Sequence, residues 1–206
     1  AIGVLPKGQL VEVDRSGLVA GFVGQTALKT QEVIQKAIGG VLFIDEAYAL
    51  VNQDNGNDFG REAVEVLLKN MEDHRKDLVV IVAGYSQLME KFIHSNPGLE
   101  SRFNKYFYFE DYDGAQLFTI LQSMCAKNGY VLTPEGEALA RRELMDLYED
   151  RDENFGNARD VRNLFEQAVA RQSDRVARLE APTREQLMEL RPEDLTEPGV
   201  APSPKD

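Results

Sequence analysis

Four apolar residues, Val41-Leu42-Phe43-Ile44, run into two adjacent carboxylates, Asp45 and Glu46, and follow a Gly39-Gly40 pair. A short apolar run bounded by turn residues suits a strand buried on both faces, as the inner strands of a parallel sheet are. Acids at the carboxyl end of such a strand lie in the crevice where open α/β sheets bind ligands. Phosphate-hydrolysing sites use that position: one acid holds Mg²⁺, directly or through its water, and the next orients or deprotonates the attacking water. The same residues also suit a buried strand whose following helix is capped by acids, so the stretch alone leaves both readings open.

The surrounding pattern supports a sheet covered by helices. Gln9-Leu10-Val11-Glu12-Val13 alternates as a half-buried or edge strand does. The loop Leu18 to Gly24 holds Phe22 between two glycines, and taken alone Phe22 reads as a loop residue tucked into the core. Thr26 to Ile38 is expected to be helical, with Thr26 as N-cap and Gly39 as stop. After the strand at Val41 comes a polar loop, Asn52 to Asn57. Asp58 is then expected to cap a helix in which Val64, Leu67, Leu68 and Met71 share a face. Leu78 to Ala83 is a continuous apolar strand, Gln87 to Ile93 a short helix, Asn96-Pro97-Gly98 a turn, and Tyr106 to Phe109 a last strand. Strand and helix alternate throughout, which predicts an α/β fold with a parallel sheet.

From Asp113 the signals are helical only. Asp113 and Gln116 have capping-box spacing, Leu117, Leu121 and Met124 form a stripe, and Thr133-Pro134 opens the next helix. Ala140, Leu144, Leu147 and Tyr148 share its buried face. Asn157 to Val176 repeats apolar residues at helical spacing through Val161, Leu164, Phe165, Ala168 and Val169. Beyond Thr196 the chain is proline-rich and poor in apolar residues, and disorder is expected there. The expected division is a core over 1–111, a small all-α domain over 112–180 and a tail over 181–206. The net charge of −12 argues against a broad nucleic-acid footprint, and no apolar run is long enough to span a bilayer. The single cysteine, Cys125, suits a reducing compartment such as the cytoplasm.

Several motifs in one order now support a family. The chain resembles the AAA+ ATPases, in the branch with red-type Rubisco activase, stage V sporulation protein K and the type VII secretion ATPases. Gly8 to Arg15, Leu18 to Thr26, Val41 to Tyr48, Ala83-Gly84-Tyr85, Asn96 to Phe103 and Asn154 to Arg159 carry the resemblance. It implies an AAA+ core followed by a small helical lid. Asp45 and Glu46 resemble the Walker B pair, Asp45 serving Mg²⁺ and Glu46 polarising the attacking water. Arg102 resembles the arginine finger offered to a neighbour's nucleotide. Arg159 resembles the sensor-2 arginine, which contacts the phosphates of its own subunit's ATP. Phe22-Val23-Gly24 resembles the aromatic pore loop, which turns Phe22 from a buried side chain into an exposed one. The implied partners are further copies of the chain, in a hexamer, and a protein substrate; no nucleic acid or membrane is expected.

Two departures qualify the resemblance. Tyr85 stands where many AAA+ proteins have an asparagine that senses the γ-phosphate. No Gly-x-x-x-x-Gly-Lys-Ser/Thr occurs in the 206 residues. The family has that phosphate-cradling loop upstream of Ile2-Gly3-Val4-Leu5, together with a strand lying between those at Leu78 and Tyr106. The expectation is therefore a fragment of an ATPase with weak nucleotide binding of its own and two strands short of a partner. A non-catalytic docking module is the alternative, and a DNA-directed AAA+ protein is a more distant one.

Overall fold

The computed structural model describes residues 5–22, 24–51, 59–152 and 155–196. The chain divides into two compact units, Ala1–Phe107 and Tyr108–Asp206.

The first unit is built on a three-stranded parallel sheet in the order β1 (Leu10–Val13), β2 (Val41–Ile44), β3 (Val79–Val82). Leu10 pairs with Val41 and Val41 with Val79, in register to the strand ends. β2 is central, and its Leu42 and Ile44 are fully buried. Each such side chain contributes roughly 2 kcal/mol of burial. After β1 come α1 (Arg15–Leu18) and α2 (Thr26–Ala37). Asp14 caps α1, accepting from the Gly17 N–H at 3.0 Å and the Ser16 hydroxyl at 2.6 Å. Those bonds, the Ser16 hydroxyl foremost, hold the Asp14 carboxyl below its ordinary value. A 3₁₀ turn, Ala47–Leu50, follows β2, and α3 (Phe59–Asp73) packs against α2. Asn70 and Gln31 join these two helices by exchanging amide hydrogen bonds of 2.8 and 3.1 Å. After β3 come α4 (Ser86–His94) and α5 (Pro97–Arg102).

Two details differ from expectation. Thr26 is the first helical residue rather than the cap; its buried hydroxyl accepts from the Ala20 N–H at 3.0 Å and ties the preceding loop to α2. The segment Tyr106–Phe109 forms no strand. A strand exists only through its ladder, and no neighbour offers one among the described residues, so its four rings are 70–90% exposed. β3 pairs on the β2 side alone, as expected of a strand short of a partner, and leaves Val79 and Ile81 partly exposed. The helix cap expected at Asp58 lies outside the described residues, as does the loop before it.

The second unit packs α6 (Gly114–Asn128), α7 (Pro134–Glu149) and α8 (Ala158–Val176) around Leu117, Phe118, Leu121, Leu144, Val161 and Ala168. The Asp113–Gln116 capping box forms in both directions, and Thr133 caps α7 through the Gly136 N–H at 3.2 Å. Between α6 and α7 lies β4 (Val131–Leu132). Residues after α8 form α9 (Arg184–Met188), β5 (Glu189–Leu190) and α10 (Pro192–Leu195), and β5 pairs parallel with β4. Leu190 and Leu195 join the core of this unit. Asp194, 1% exposed, accepts from Arg175 at 2.8 and 3.0 Å and from the Arg191 N–H at 2.8 Å. No described helix is long and apolar enough to cross a membrane.

Candidate functional site

β2 carries Asp45 and Glu46 out of the sheet at its carboxyl end. The backbone there is fixed on both sides: the Asp45 N–H donates to the Val13 carbonyl at 2.8 Å, and the Ala47 N–H to the Ala83 carbonyl at 3.1 Å. Both acidic side chains are exposed although Ile44 and Ala47 beside them are buried. Asp45 turns one oxygen back to accept from the Glu46 N–H at 3.0 Å. Glu46 itself sits in the left-handed region, at φ 47° and ψ 43°. That conformation costs a non-glycine residue about 1 kcal/mol or more and is concentrated at functional positions. It ends the strand abruptly and starts the 3₁₀ turn.

Glu46 borders a shallow hollow with Asp14, Arg15, Ser16, Ala20 and Gly21, formed where β1 gives way to α1. Arg15 spans its edge and donates to the Ala49 carbonyl at 2.6 Å. On the other side of the acids, the ring of Tyr48 lies against Gly84. A Cβ at Gly84 would come within 2.7 Å of Tyr48 Cδ1 and 2.9 Å of Met89 Sδ, so only glycine leaves this space. The Tyr85 ring is tilted toward Tyr48 at 6.4 Å between centroids. Burial first, then the negative charge of Glu46, raises the Tyr48 phenol above its ordinary value.

Among the described residues, no group of three or more His, Cys, Asp or Glu side chains is arranged to hold a metal ion. Mg²⁺ that arrives with phosphates needs no such cage, since one or two carboxylates and water complete its shell. The exposed Asp45 carboxylate at a strand end fits that mode of binding.

Arg102 is the last residue of α5, whose first turn is capped by Asn96 accepting from the Gly98 N–H at 2.7 Å. What the sequence suggested as a turn is thus the opening of the helix that carries this arginine. Its guanidinium lies 3.5 Å from Glu72 on α3. Phe22 is 71% exposed, and Gly24 beside it adopts φ +77°, a conformation that favours glycine. Val23 lies outside the described residues. Arg159 belongs to the other unit, exposed on the first turn of α8. The structure therefore joins Asp45 and Glu46 in one place and pairs Arg102 with Glu72. Sequence reasoning assigned nothing to Tyr48, though Tyr48 closes the motif containing both acids.

Comparison with known proteins adds a family. Residues 4–111 match the model of the ATPase family associated with various cellular activities (AAA), and residues 113–201 match the AAA lid domain. Protein CbbX of Cereibacter sphaeroides is 47% identical over 175 residues, covering 85% of this chain and 56% of that protein. The chloroplastic ribulose bisphosphate carboxylase/oxygenase activase of Cyanidioschyzon merolae is 44% identical, with 85% and 59% covered. A CfxQ homolog of Trieres chinensis is 42% identical, with 97% and 68% covered. The chain thus spans a little over half the length of the first two. Among solved structures, the FIGL-1 AAA domain in complex with ADP superposes with a TM-score of 0.59 at 18% identity, over 92% of this chain and 63% of that one. A RuvB mutant of Thermotoga maritima gives 0.57 at 16%, over 91% and 51%. At such identities the likeness is one of fold. The chain belongs to the AAA family of ATPases, among the red-type Rubisco activase-like members that include CbbX and CfxQ.

Proposed function

We propose that the chain works within a cytoplasmic AAA+ ring, a hexamer, that couples ATP hydrolysis to remodelling or threading of a protein substrate. The observation that carries this reading is the exposure of Asp45 and Glu46, side by side, at the end of a central strand whose Leu42 and Ile44 are buried. ATP and Mg²⁺, when bound, supply the scissile phosphoanhydride and the charge that stabilises its displacement. Asp45 is the Mg²⁺ ligand of this chain. Glu46 aligns the attacking water and accepts its proton. Arg102 reaches the nucleotide of the adjacent subunit, where a planar, permanently charged guanidinium can follow charge developing on the transferred phosphoryl group. Arg159 contacts the phosphates in its own subunit, and Phe22, Val23 and Gly24 line the pore and grip substrate. Similarity to Protein CbbX and to a Rubisco activase supports a protein client.

Glu46→Gln in the full-length protein tests the reading. ATP binding persists and hydrolysis falls by about 100-fold or more; turnover at the parent rate would remove Glu46 from the chemistry. Residues 1–206 alone, which include no Gly-Lys phosphate loop, release phosphate from ATP at no more than background.

The exposed Tyr106–Phe109 segment and the half-exposed β3 favour a second reading, in which these 206 residues serve as a docking module. Full ATP turnover by the full-length protein carrying Glu46 but not by Glu46→Gln would reject it.

A further inference from the structure

We propose that α1 couples the acid-bearing turn to Phe22, with Arg15 gripping that turn and Lys29 gripping the loop that carries the ring. This rests on Glu46 and Phe22 having the roles given above. The contacts begin at the acids. The Ala49 N–H returns to the Glu46 carbonyl at 2.8 Å, and the Ala49 carbonyl accepts from Arg15 Nη1 at 2.6 Å. The Asp45 N–H donates to the Val13 carbonyl at 2.8 Å, one residue before the Asp14 cap of α1. α1 is therefore fastened to the turn on both sides of the two carboxylates. The guanidinium has little room to slip. A Cβ at Gly60, on the first turn of α3, would lie 2.6 Å from Arg15 Nη1 and 2.0 Å from the Leu50 carbonyl oxygen.

At the other end, one face of α2 holds the loop through Thr26, Lys29 and Thr30, which share that face at helical spacing. Lys29 Nζ donates to the Ser16 carbonyl at 2.6 Å and to the Val19 carbonyl at 3.0 Å. The Thr30 hydroxyl donates to the Leu18 carbonyl at 3.0 Å, and the Thr26 hydroxyl accepts from the Ala20 N–H at 3.0 Å. The backbone is thus pinned at Ser16, Leu18, Val19 and Ala20 before it reaches Phe22, whose own carbonyl accepts from the Gln25 N–H at 3.3 Å. The Phe22 ring is exposed, but its base is stiff. α1, the loop base and the first turns of α2 move as one body, and the Arg15 bond connects that body to the acids. Short charge-assisted bonds and close packing transmit a displacement instead of absorbing it. A shift of the acid turn on nucleotide exchange is then read out at the Phe22 ring.

The test uses the full-length protein with 4-fluorophenylalanine in place of Phe22. Its ¹⁹F shift is compared between Mg-ADP and a non-hydrolysable ATP analogue with Mg²⁺. The parent shows a difference, and Arg15→Met and Lys29→Met each cut it to about half or less. The double variant loses no more than the worse single one, because the two bonds act in series. Lys29→Arg, which keeps donors for both carbonyls, retains the difference. Lys29→Met still hydrolyses ATP within about twofold of the parent rate, since Lys29 only positions the loop. A merely structural loosening would move the signal alike in both nucleotides and leave the difference intact. A full difference in either methionine variant, or none in the parent, overturns the proposal. If the full-length parent hydrolyses no ATP, the ATPase reading itself fails and takes this proposal with it.

Discussion

Arg102 Nη2 stands 3.5 Å from Oε2 of Glu72 in its own chain, while its Nη1 reaches the Gly98 carbonyl at 3.3 Å and its buried Nε has no hydrogen-bond partner. These are long contacts for a guanidinium, whose charge-assisted bonds settle near 2.8 Å. The side chain is folded against its own subunit without being satisfied there. Both partners are partly exposed, 30% and 58%, so water screens the pair. Glu72→Gln should change the urea-unfolding free energy by less than about 1 kcal/mol. In the full-length ring, Arg102→Ala should lower ATP turnover by about 1,000-fold with nucleotide affinity retained, and Arg102→Lys should not rescue it. A large loss of stability in Glu72→Gln would make the pair a structural strut instead.

The Arg175–Asp194 pair behaves differently because Asp194 is buried. Its 2.8 Å contact to Arg175 is joined by the Arg191 N–H, so removing either side chain strands the other. Asp194→Ala should destabilise the second unit by about 3–5 kcal/mol in urea, and Arg175→Met combined with Asp194→Leu should cost less than the single change. The hydrogen bond to Asp194 raises the Arg175 guanidinium above its ordinary value. A raised value contributes stability that is fully present below the ordinary guanidinium range and lost only as the pH rises through it. The Arg175 side of the pair should therefore give no pH dependence across neutral pH.

Cys125 lies in the core of the same unit, and burial pushes its thiol up to about 11 from an ordinary 9.0. The folded state disfavours the thiolate. That preference costs nothing below pH 9 and subtracts stability as the pH climbs from 9 toward 11. A thiol reagent at pH 8 should react slowly with the native chain and rapidly once urea unfolds it. Fast reaction under native conditions would mean that the α6 region opens readily.

Phe22 tests the threading part of the proposal. With its ring 71% exposed, Phe22→Ala should leave the melting temperature within about 1 °C. In the full-length protein it should also leave ATP hydrolysis near the parent rate while abolishing remodelling of the substrate. Remodelling at the parent rate would take Phe22 out of the mechanism.

What the sequence made legible follows from how local each signal is. β2 and its acids, the Asp113–Gln116 box and the Thr133 cap depend on residues within a few positions, and all are present in the structure. Thr26 was misread because a threonine at a helix start suits either the cap or the first turn, and the choice was made by the Ala20 N–H six residues away. Tyr106–Phe109 has the composition of a strand, yet strand formation depends on a partner that composition does not supply. Tyr48 escaped notice because what gives it meaning is Gly84, thirty-six positions on, brought beneath its ring only when β2 and β3 pair.

The ladder between β4 and β5 bears on the order in which the chain is made. Val131 meets Glu189 and Leu132 meets Leu190, and the apolar interior around α6, α7 and α8 is incomplete without Leu190 and Leu195. A ribosome adds roughly 5–20 residues each second. For several seconds after α6 emerges, its apolar stripe therefore waits for a closing segment still being translated or held in the exit tunnel. The second unit should lock shut in a late, single event, and a chaperone that shields α6 and α7 would find its client in that interval.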